Sequence, residues 1–330
     1  MRRRDSGRHP GTDGTDALWA ITSYFNPRHY RRRLANYRVF RSRLALPLVT
    51  VEWSCDGTFE LEAGDADILL SLRSPDLLWQ KERLLNLAMA AVPAHVDRVV
   101  WLDCDVVFAR PDWWREALRA LERDVLVQLF SVCHDLGSAA PAGVFDVADA
   151  IQSAESFVAI SRRAGAEAML FEQLWGSELE HGGAVRRQRL SGLAWAGRRD
   201  LLARHGFYDA CILGAGDRAY ACAAFGKAPT ARQGWLQNAR QRAHYLRWAT
   251  PLADEVRGRV ALVEGALFHL WHGHVRERRY RERYTAFERF AFDPFEDIAL
   301  DDAGLWRWAS DKPEMHRFVA DYFAARREDG

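Results

Sequence analysis

The sequence predicts an α/β protein in which a mostly parallel central sheet is flanked by helices and followed by a helical C-terminal extension. Two observations carry this prediction. From Leu18 onward, apolar runs of strand length alternate with segments of helical periodicity, which is typical of parallel strands joined by crossover helices. The chain also has 330 residues, of which 48% are hydrophobic, and can therefore bury a substantial core in one large domain.

In the first half of the chain, strands and helices alternate clearly. Strands are predicted where β-branched, aromatic and aliphatic residues cluster, at residues 18–24, 47–53, 68–72 and 99–102. An exposed amphipathic helix is predicted at 31–44. A second helix is expected to begin at Ser74, as an N-cap followed by Pro75, and to end before Pro93.

The second half is less regular. Residues 118–129 predict a helix and then a strand, whereas the stretch 145–189 gives no clear pattern beyond a short helical candidate at 172–178. Further elements are expected as a strand at 190–196, helices at 198–205 and 217–225, and a long apolar strand at 260–269. The C-terminal residues that we expect to pack back onto the sheet are Trp306, Trp308, Met315, Phe318 and Tyr322.

Composition excludes several classes of protein. Lysine and arginine number 46 and aspartate and glutamate 45, so overall charge gives no argument for binding nucleic acid. The five scattered cysteines indicate reduced thiols rather than disulfides or a zinc site. Residues 1–16 are expected to be a disordered tail, and no run approaches the roughly 20 apolar residues of a membrane span. We therefore expect a cytoplasmic protein that docks peripherally on any membrane-bound acceptor.

Asp103 and Asp105 form the most informative motif. They follow the buried run 99–102, and residues two apart on a strand share a face. Both carboxylates would project from the C-terminal edge of the sheet, where open α/β sheets bind ligands, while Cys104 points into the core. Paired carboxylates suit a divalent cation that also holds phosphate oxygens, which indicates an enzyme of nucleotide diphosphates. The alternative is a solvated turn, since Asp-x-Asp is common.

Histidines provide the second signal, because His269, His272 and His274 cluster at the end of the strand predicted at 260–269. A single histidine is more often a structural group. On a continuous strand His269 and His272 face opposite sides, so both bind one metal only if the chain turns out of the strand near Leu270. An imidazole beside paired carboxylates favours Mn²⁺ over Mg²⁺, which remains the second candidate.

Two further segments offer catalytic or binding groups. Asp217 ends the segment Gly-Ala-Gly-Asp and is either a general base for a sugar hydroxyl or an N-cap. Trp79 and Lys81 precede the carboxylate strand, and they either stack on a nucleobase and reach phosphate or belong to a solvated helix face.

Aromatic and basic residues later in the chain give weaker signals. Trp195 is a candidate platform for a sugar ring, whereas most of the 13 tryptophans are expected in the core. The arginine-rich stretch 276–289 is interpreted as a salt-bridged helix face, with a basic loop over a diphosphate as the alternative.

In this order, the segments resemble the metal-dependent GT-A glycosyltransferases. The likeness is to the branch with a β-1,4-galactosyltransferase type C-terminal domain and to bacterial family-2-like enzymes. It covers roughly residues 18–290, with an unmatched stretch at about 130–188. The motifs that carry it are Trp79-Gln-Lys-Glu-Arg-Leu-Leu-Asn86, Leu102-Asp-Cys-Asp105, Ser191-Gly-Leu-Ala-Trp-Ala, Gly206-Phe-Tyr-Asp, Gly214-Ala-Gly-Asp217 and His269-Leu-Trp-His272. One departure is Arg218 after Asp217, where the family has an acidic run.

The resemblance implies a GT-A (Rossmann-like) domain at 17–290, with a nucleotide-binding half at 17–130 and an acceptor half at 131–290. Residues 291–330 are then an extension packed on that domain. It implies Asp217 as the catalytic base and, as metal ligands, Asp103, Asp105, His269 and His272. The residues assigned to the donor are Ser23, Tyr24, Glu52, Trp79, Lys81 and Asp103, and those assigned to the acceptor are Trp195 and Gly216.

The expected activity is metal-dependent transfer of a sugar from a nucleotide-diphosphate donor, UDP-linked by preference, to a glycan or lipid-linked hydroxyl, with inversion. One alternative is a nucleotidyltransferase, although residues 23–27 contain no glycine-rich triphosphate loop. A second alternative is a catalytically silent protein that binds glycan or nucleotide sugar, which Arg218 beside Asp217 keeps open.

Overall fold

A computed structural model describes residues 2–5, 17–140, 143–164, 178–181, 184–187, 189–228, 235–280 and 282–330. The strands are β1 (Arg2–Asp5), β2 (Leu18–Phe25), β3 (Leu48–Ser54), β4 (Ile68–Arg73), β5 (Arg98–Leu102), β6 (Val106–Phe108), β7 (Leu126–Gln128), β8 (Val132–Leu136), β9 (Ala150–Ser156), β10 (Glu178–His181), β11 (Ala184–Arg187), β12 (Arg189–Leu190), β13 (Ala194–Arg198), β14 (Val260–Leu262), β15 (Ala266–His269), β16 (Ile298–Leu300) and β17 (Trp306–Trp308).

The helices are α1 (Arg31–Arg43), α2 (Lys81–Ala91), α3 (Trp113–Leu121), α4 (Phe157–Ala164), α5 (Arg199–His205), α6 (Gly216–Ala224), α7 (Ala239–Val256), α8 (Glu282–Phe287) and α9 (Pro313–Ala325). The helical candidate at 172–178 lies almost wholly outside the described residues, apart from its last position. No helix of the described part of the chain combines the length and apolar character needed to cross a bilayer.

The central sheet contains eight strands in the order β1-β4-β3-β2-β5-β13-β7-β14. Strands β4, β3, β2 and β5 are parallel, whereas β13 runs antiparallel to both β5 and β7. All seven residues of β3 are buried, as expected for a strand covered on both faces. The predicted α/β class with a mostly parallel sheet and flanking helices is therefore confirmed.

A second sheet, in the order β12-β9-β8-β15-β6, carries part of the site. The sequence predicts one strand at 260–269, but the chain breaks there into β14, which joins the central sheet, and β15, which joins the second. Gly265 lies at the break with a φ of +147°, a conformation that an L side chain rarely adopts. This break brings the end of β15 beside the turn after β5.

Helix α2 begins at Lys81 rather than near Ser74, so the predicted N-cap is wrong. Long-range contacts hold the preceding residues out of a helix. The Ser74 carbonyl accepts a hydrogen bond from Trp53, and the Trp79 N–H donates to the Ile212 carbonyl. Tertiary contacts have overridden a local capping signal.

The two ends of the chain add to this frame. Met315 and Val319 of α9 are fully buried, and Phe323 packs on Trp79. Arg2–Asp5 forms strand β1, antiparallel to β4, where the sequence predicts a disordered tail; pairing with the free edge of β4 explains this difference. The remainder of that tail lies outside the described residues.

Candidate active site

One cavity of about 200 Å³ lies at the carboxyl ends of β2 and β5, where the resemblance places the site. The turn after β5 supplies Asp103 and Asp105, and the end of β15 supplies His269. The start of α6 contributes Asp217 to the same cavity. The topology therefore joins residues that are far apart in sequence.

Three side chains, Asp105, His269 and His272, form what we call the histidine cluster. Their potential ligand atoms all lie within 4.8 Å of one another, and all three residues are buried. The Nε2 atom of His272 is 3.1 Å from Asp105 Oδ2 and 3.2 Å from His269 Nε2. Neighbouring ligands of one cation are about 3 Å apart when the metal–ligand bonds are about 2.1 Å. The spacing therefore fits a single divalent cation.

The prediction that the chain must leave its strand for both histidines to converge agrees with the observed geometry. Strand β15 ends at His269, and the Leu270 N–H donates 2.8 Å to the Asp105 carbonyl. His272 thereby returns to the side on which His269 lies, and their ring centroids are 5.1 Å apart.

Residues around the histidine cluster orient its side chains and affect their pKa values in ways that favour metal binding. The Nδ1 atom of His269 lies 2.8 Å from the buried Asp135 carboxylate, which leaves Nε2 to face the cluster. Burial, together with Arg278, lowers the pKa of His272 to about 3, so its imidazole is neutral at physiological pH. Asp105 Oδ1 is buried without a hydrogen-bond partner. Two imidazoles and a carboxylate match the donors of a first-row cation such as Mn²⁺.

A second group, the lysine cluster, consists of Lys81, Asp103 and Asp217. The Lys81 ammonium lies 2.5 Å from Asp103 and 2.9 and 3.0 Å from the two oxygens of Asp217. Burial raises the pKa of Asp103 to about 6, against the attraction of Lys81. The Asp103 carboxylate is thus directed to Lys81, and it does not belong to the histidine cluster of the described residues.

Asp217 lies in the first turn of α6, but it does not cap that helix. The N-cap is Ala215, in a left-handed conformation with a φ of +79°, and no side chain caps the helix there. The Asp217 side chain is 31% exposed and lines the cavity. The N-cap alternative is therefore wrong, and the carboxylate is accessible to a ligand.

Three residues of β2 and β3 that are predicted to bind the donor do not lie together in the structure. Ser23 lines the cavity, whereas Tyr24 is 1% exposed, donates its hydroxyl hydrogen bond to Glu60 and packs edge-on against Tyr37. Glu52 accepts hydrogen bonds from the backbone N–H groups of residues 60 and 61, and burial raises its pKa to about 7. Tyr24 and Glu52 do not line the cavity, so the donor-binding assignment is corrected for both.

The two residues assigned to the acceptor also differ from expectation. Trp195 is 2% exposed, stacks on Trp101 at 6.0 Å and donates to the Ser191 carbonyl. Because its ring faces the core, it cannot serve as a sugar platform. Gly216 is buried against the Glu82 side chain, where a Cβ would collide, and does not line the cavity. Both assignments are corrected.

Trp79 reaches the cavity, but aromatic neighbours cover its ring. Phe323 stacks on it at 6.4 Å, Phe25 packs edge-on at 5.0 Å, and the Arg326 guanidinium lies 5.0 Å from the ring centre. Its indole Nε1 is buried without a hydrogen-bond partner. These contacts favour a role for the indole edge over stacking on a nucleobase.

Sequence reasoning missed three charged residues of the site, Arg33, Arg326 and Glu328, and it considered Arg278 and Arg283 only as part of the arginine-rich stretch 276–289. Glu328 is 2% exposed, and both Arg33 and Arg326 bind it, at 3.0 and 2.5 Å. Arg278 and Arg283 are 7% and 6% exposed, so the stretch 276–289 is not simply a salt-bridged helix face. Its dense arginines were a usable signal, whereas the positions of Arg33 and Glu328 depend on contacts almost 300 residues apart in sequence.

No protein-family model matches the chain, and no curated protein matches it. Similar solved structures include mannosyl-3-phosphoglycerate synthase from Rubrobacter xylanophilus, 11% identical over 89% of this chain and 87% of its own, with a TM-score of 0.39. The mannosyltransferase PcManGT from Pyrobaculum calidifontis, in complex with GDP-Man and Mn²⁺, is 14% identical over 95% and 76%, with a TM-score of 0.34. S. aureus TarS 1–349 in complex with UDP-GlcNAc is 10% identical over 93% and 72%, with a TM-score of 0.35. Values this low do not assign an activity to this chain.

Proposed function

We propose that this protein is a metal-dependent glycosyltransferase. It would move a sugar from a nucleotide-diphosphate donor, UDP-linked by first preference, to a hydroxyl of a glycan or lipid-linked acceptor. The observation that carries the proposal is that the histidine cluster, buried cationic side chains and the Asp217 carboxylate line one cavity. A diphosphate leaving group is stabilised by a metal ion at the histidine cluster and by the buried cationic side chains. A hydroxyl nucleophile needs a base such as the Asp217 carboxylate.

Asp105, His269 and His272 would hold the divalent cation, with Mn²⁺ as first candidate and Mg²⁺ as second. When bound there, it would neutralise charge on the leaving diphosphate. Arg278 lies beside these residues, with Nη2 2.8 Å from His272 Nε2, and no carboxylate of the described residues pairs with it. Its guanidinium can therefore bind a diphosphate oxygen next to the cation.

The contacts of Asp217 support its assignment as the general base. Lys81 holds its carboxylate in place through both oxygens, and each oxygen keeps a second lone pair for a substrate proton. An acceptor hydroxyl that loses its proton to Asp217 while attacking the anomeric carbon would displace the nucleoside diphosphate from the opposite face. This geometry would invert the anomeric configuration.

The first test is calorimetric titration of UDP, and in parallel GDP, with Mn²⁺ and with EDTA. Mn²⁺-dependent binding would support the proposal and select the nucleotide for a panel of nucleotide sugars. Release of a nucleoside diphosphate on turnover supports a glycosyltransferase, whereas release of pyrophosphate from a nucleoside triphosphate would identify a nucleotidyltransferase. A folded protein that binds neither nucleotide in either condition contradicts the proposal.

The base assignment predicts the behaviour of Asp217→Asn. Because the amide cannot accept the proton, kcat should fall by about 10²–10⁴-fold while Mn²⁺-dependent nucleotide binding is retained. The matched control is Asp200→Asn, which changes an exposed aspartate in the first turn of the neighbouring helix α5 and should leave kcat unchanged. Full activity of Asp217→Asn, or a product with retained anomeric configuration, would rule the assignment out.

A further inference from the structure

Arg283 on α8 is a buried cation that has no carboxylate partner among the described residues. It is 6% exposed and lines the cavity. Its Nη1 donates to the Tyr322 hydroxyl and, at 3.3 Å, to the Arg278 carbonyl, and its Nη2 lies 3.3 Å from the Tyr284 hydroxyl. The rings of Tyr280, Tyr284 and Tyr322 each lie 4.9 Å from the guanidinium.

These contacts leave part of the guanidinium unused. A guanidinium has five N–H donors, and three acceptors from the described part of the chain surround this one. Its Nε–H has no partner among those residues, and one N–H of Nη2 is left over. The tyrosine rings offset some of the cost of burying the charge. A buried donor without a partner still carries the cost of its lost hydration. An edge made of Nε–H and an Nη–H is the edge that binds a carboxylate or phosphate through two parallel hydrogen bonds.

A second unused donor lies close by. The indole Nε1 of Trp79 is also buried without a partner. Gly214 separates the two groups: a Cβ at this position would lie 3.2 Å from Arg283 Nη2 and 3.8 Å from Trp79 Nε1. Gly214 has a φ of +93°, so the backbone approaches both donors in a conformation that favours glycine. Two unused donors therefore meet at one wall of the cavity.

Three other cations of the cavity, Lys81, Arg33 and Arg326, already have carboxylate partners. Arg33 and Arg326 share Glu328, and Lys81 binds the two carboxylates of its cluster. Arg278 lies against His272, where it suits the donor diphosphate. Arg283 is thus a second buried guanidinium without a carboxylate partner among the described residues. It lies beside the Gly214 loop, whereas Arg278 lies beside the histidine cluster.

We propose that Arg283 and the indole N–H of Trp79 form a second anion subsite, which binds the carboxylate or phosphate of an acidic substrate sugar. This subsite is separate from the diphosphate site at the histidine cluster. Since Arg283 Nε and Trp79 Nε1 are both shielded from solvent, the bound anion requires a small movement of these two side chains. The inference deepens the proposed function. It rests on that function in one respect, namely that the substrate is a sugar.

The test measures binding of inorganic sulfate, by calorimetry, to the full chain saturated with UDP and Mn²⁺. Arg283→Gln should lower sulfate affinity by about 10–100-fold, and Trp79→Phe, which keeps the ring and removes the N–H, by about fivefold. UDP affinity should stay unchanged in Arg283→Gln and fall in Arg278→Gln. The matched control is Trp235→Phe, which removes another unpartnered indole N–H outside this cavity and should change neither affinity.

Two further arms locate the acidic group. If the donor sugar carries it, the wild type binds UDP-glucuronate more tightly than UDP-glucose, and Arg283→Gln removes the difference. If the acceptor carries it, glucose 6-phosphate binds the UDP-loaded protein more tightly than glucose, again only with Arg283 present. Thermal unfolding of each variant, together with Arg283→Lys, which keeps the charge and loses the two-pronged edge, separates loss of the subsite from loss of the fold.

Equal sulfate binding by wild type and Arg283→Gln would overturn the proposal. So would an Arg283→Gln variant that loses UDP affinity as strongly as Arg278→Gln, because Arg283 would then belong to the diphosphate site. If the protein binds no nucleotide at all, the sulfate titration is repeated in EDTA. Sulfate binding that depends on Arg283 there supports the subsite even though the proposed donor has failed.

Discussion

Asp103 and Asp105 lie two residues apart on one turn, yet their environments are opposite. The Asp103 carboxylate contacts the Lys81 ammonium, and burial raises its pKa to about 6. Burial would also raise the pKa of Asp105, but the imidazoles of His272 and His269 and nearby guanidinium groups lower it below 3.8. The lysine cluster therefore contains its own cation, whereas the histidine cluster collects donor atoms and leaves one carboxylate oxygen without a hydrogen-bond partner.

This difference teaches that an Asp-x-Asp motif need not act as one unit. The resemblance assigns both carboxylates to the metal. In the structure Asp105 meets the histidines, whereas Asp103 binds Lys81, the same ammonium that holds the proposed base Asp217. The end of one strand thus contributes to two sites. Asp105 belongs to a cluster suited to a metal cation, and Asp103 belongs to the cluster that contains the proposed proton acceptor.

The largest expected effect separates the two aspartates. Asp105→Asn removes the anionic member of the histidine cluster and should lower Mn²⁺ affinity by more than about 100-fold, beyond the loss expected for an outer partner. Asp103→Asn should change Mn²⁺ affinity little, because Lys81 already neutralises that carboxylate. Electron paramagnetic resonance of free Mn²⁺ measures both. An equal loss of Mn²⁺ affinity in the two variants would mean that Asp103 is also a metal ligand, as the sequence predicts. The two aspartates would then act as one unit.

A smaller effect is expected from Asp135, which touches the histidine cluster only from outside. Asp135→Asn weakens the acceptor for His269 Nδ1 and should lower Mn²⁺ affinity by about 10–100-fold. The control is Glu155→Gln, an exposed carboxylate on β9 of the same sheet, which should leave Mn²⁺ affinity unchanged. Unchanged affinity in Asp135→Asn would mean that the orientation of His269 is fixed by packing alone.

The fold, and the residues that became candidates for the histidine cluster, could be identified because their sequence signals are local. Strands β2 to β5 are apolar runs, and the buried Cys104 between the aspartates follows from strand alternation. His269 and His272 could be selected as a pair, although their convergence required a break in regular structure that periodicity cannot specify.

What could not be predicted depends on distant partners. Trp195 has the composition of a sugar platform, but Trp101 on the neighbouring strand covers it. Tyr24 is an exception, because strand alternation alone places it on the side of β2 opposite Ser23, in the core. Glu328 near the C-terminus binds Arg33 of α1, a contact that no local pattern encodes.

The smallest effect concerns Glu82, which follows Lys81 and is 4% exposed beside the lysine cluster. Burial, with repulsion from Asp217, raises its pKa from 4.5 to about 8, against the attraction of Lys81. The folded protein keeps this proton up to about pH 8, whereas the unfolded chain loses it above about pH 4.5. Stability should therefore fall as pH rises through that window.

Glu82→Gln cannot ionise, so the variant should match the wild type near pH 5 and exceed it at pH 9. We expect a gain in the free energy of unfolding at pH 9 that is absent near pH 5, measured by urea denaturation. Glu116→Gln is the control, since Glu116 also lies in the first turn of its helix but is partly exposed and paired with Arg110. A gain of equal size at pH 5 and pH 9 would mean that Glu82 is ionised in the fold. Glu82 would then add a third carboxylate charge beside Lys81, which already binds Asp103 and Asp217.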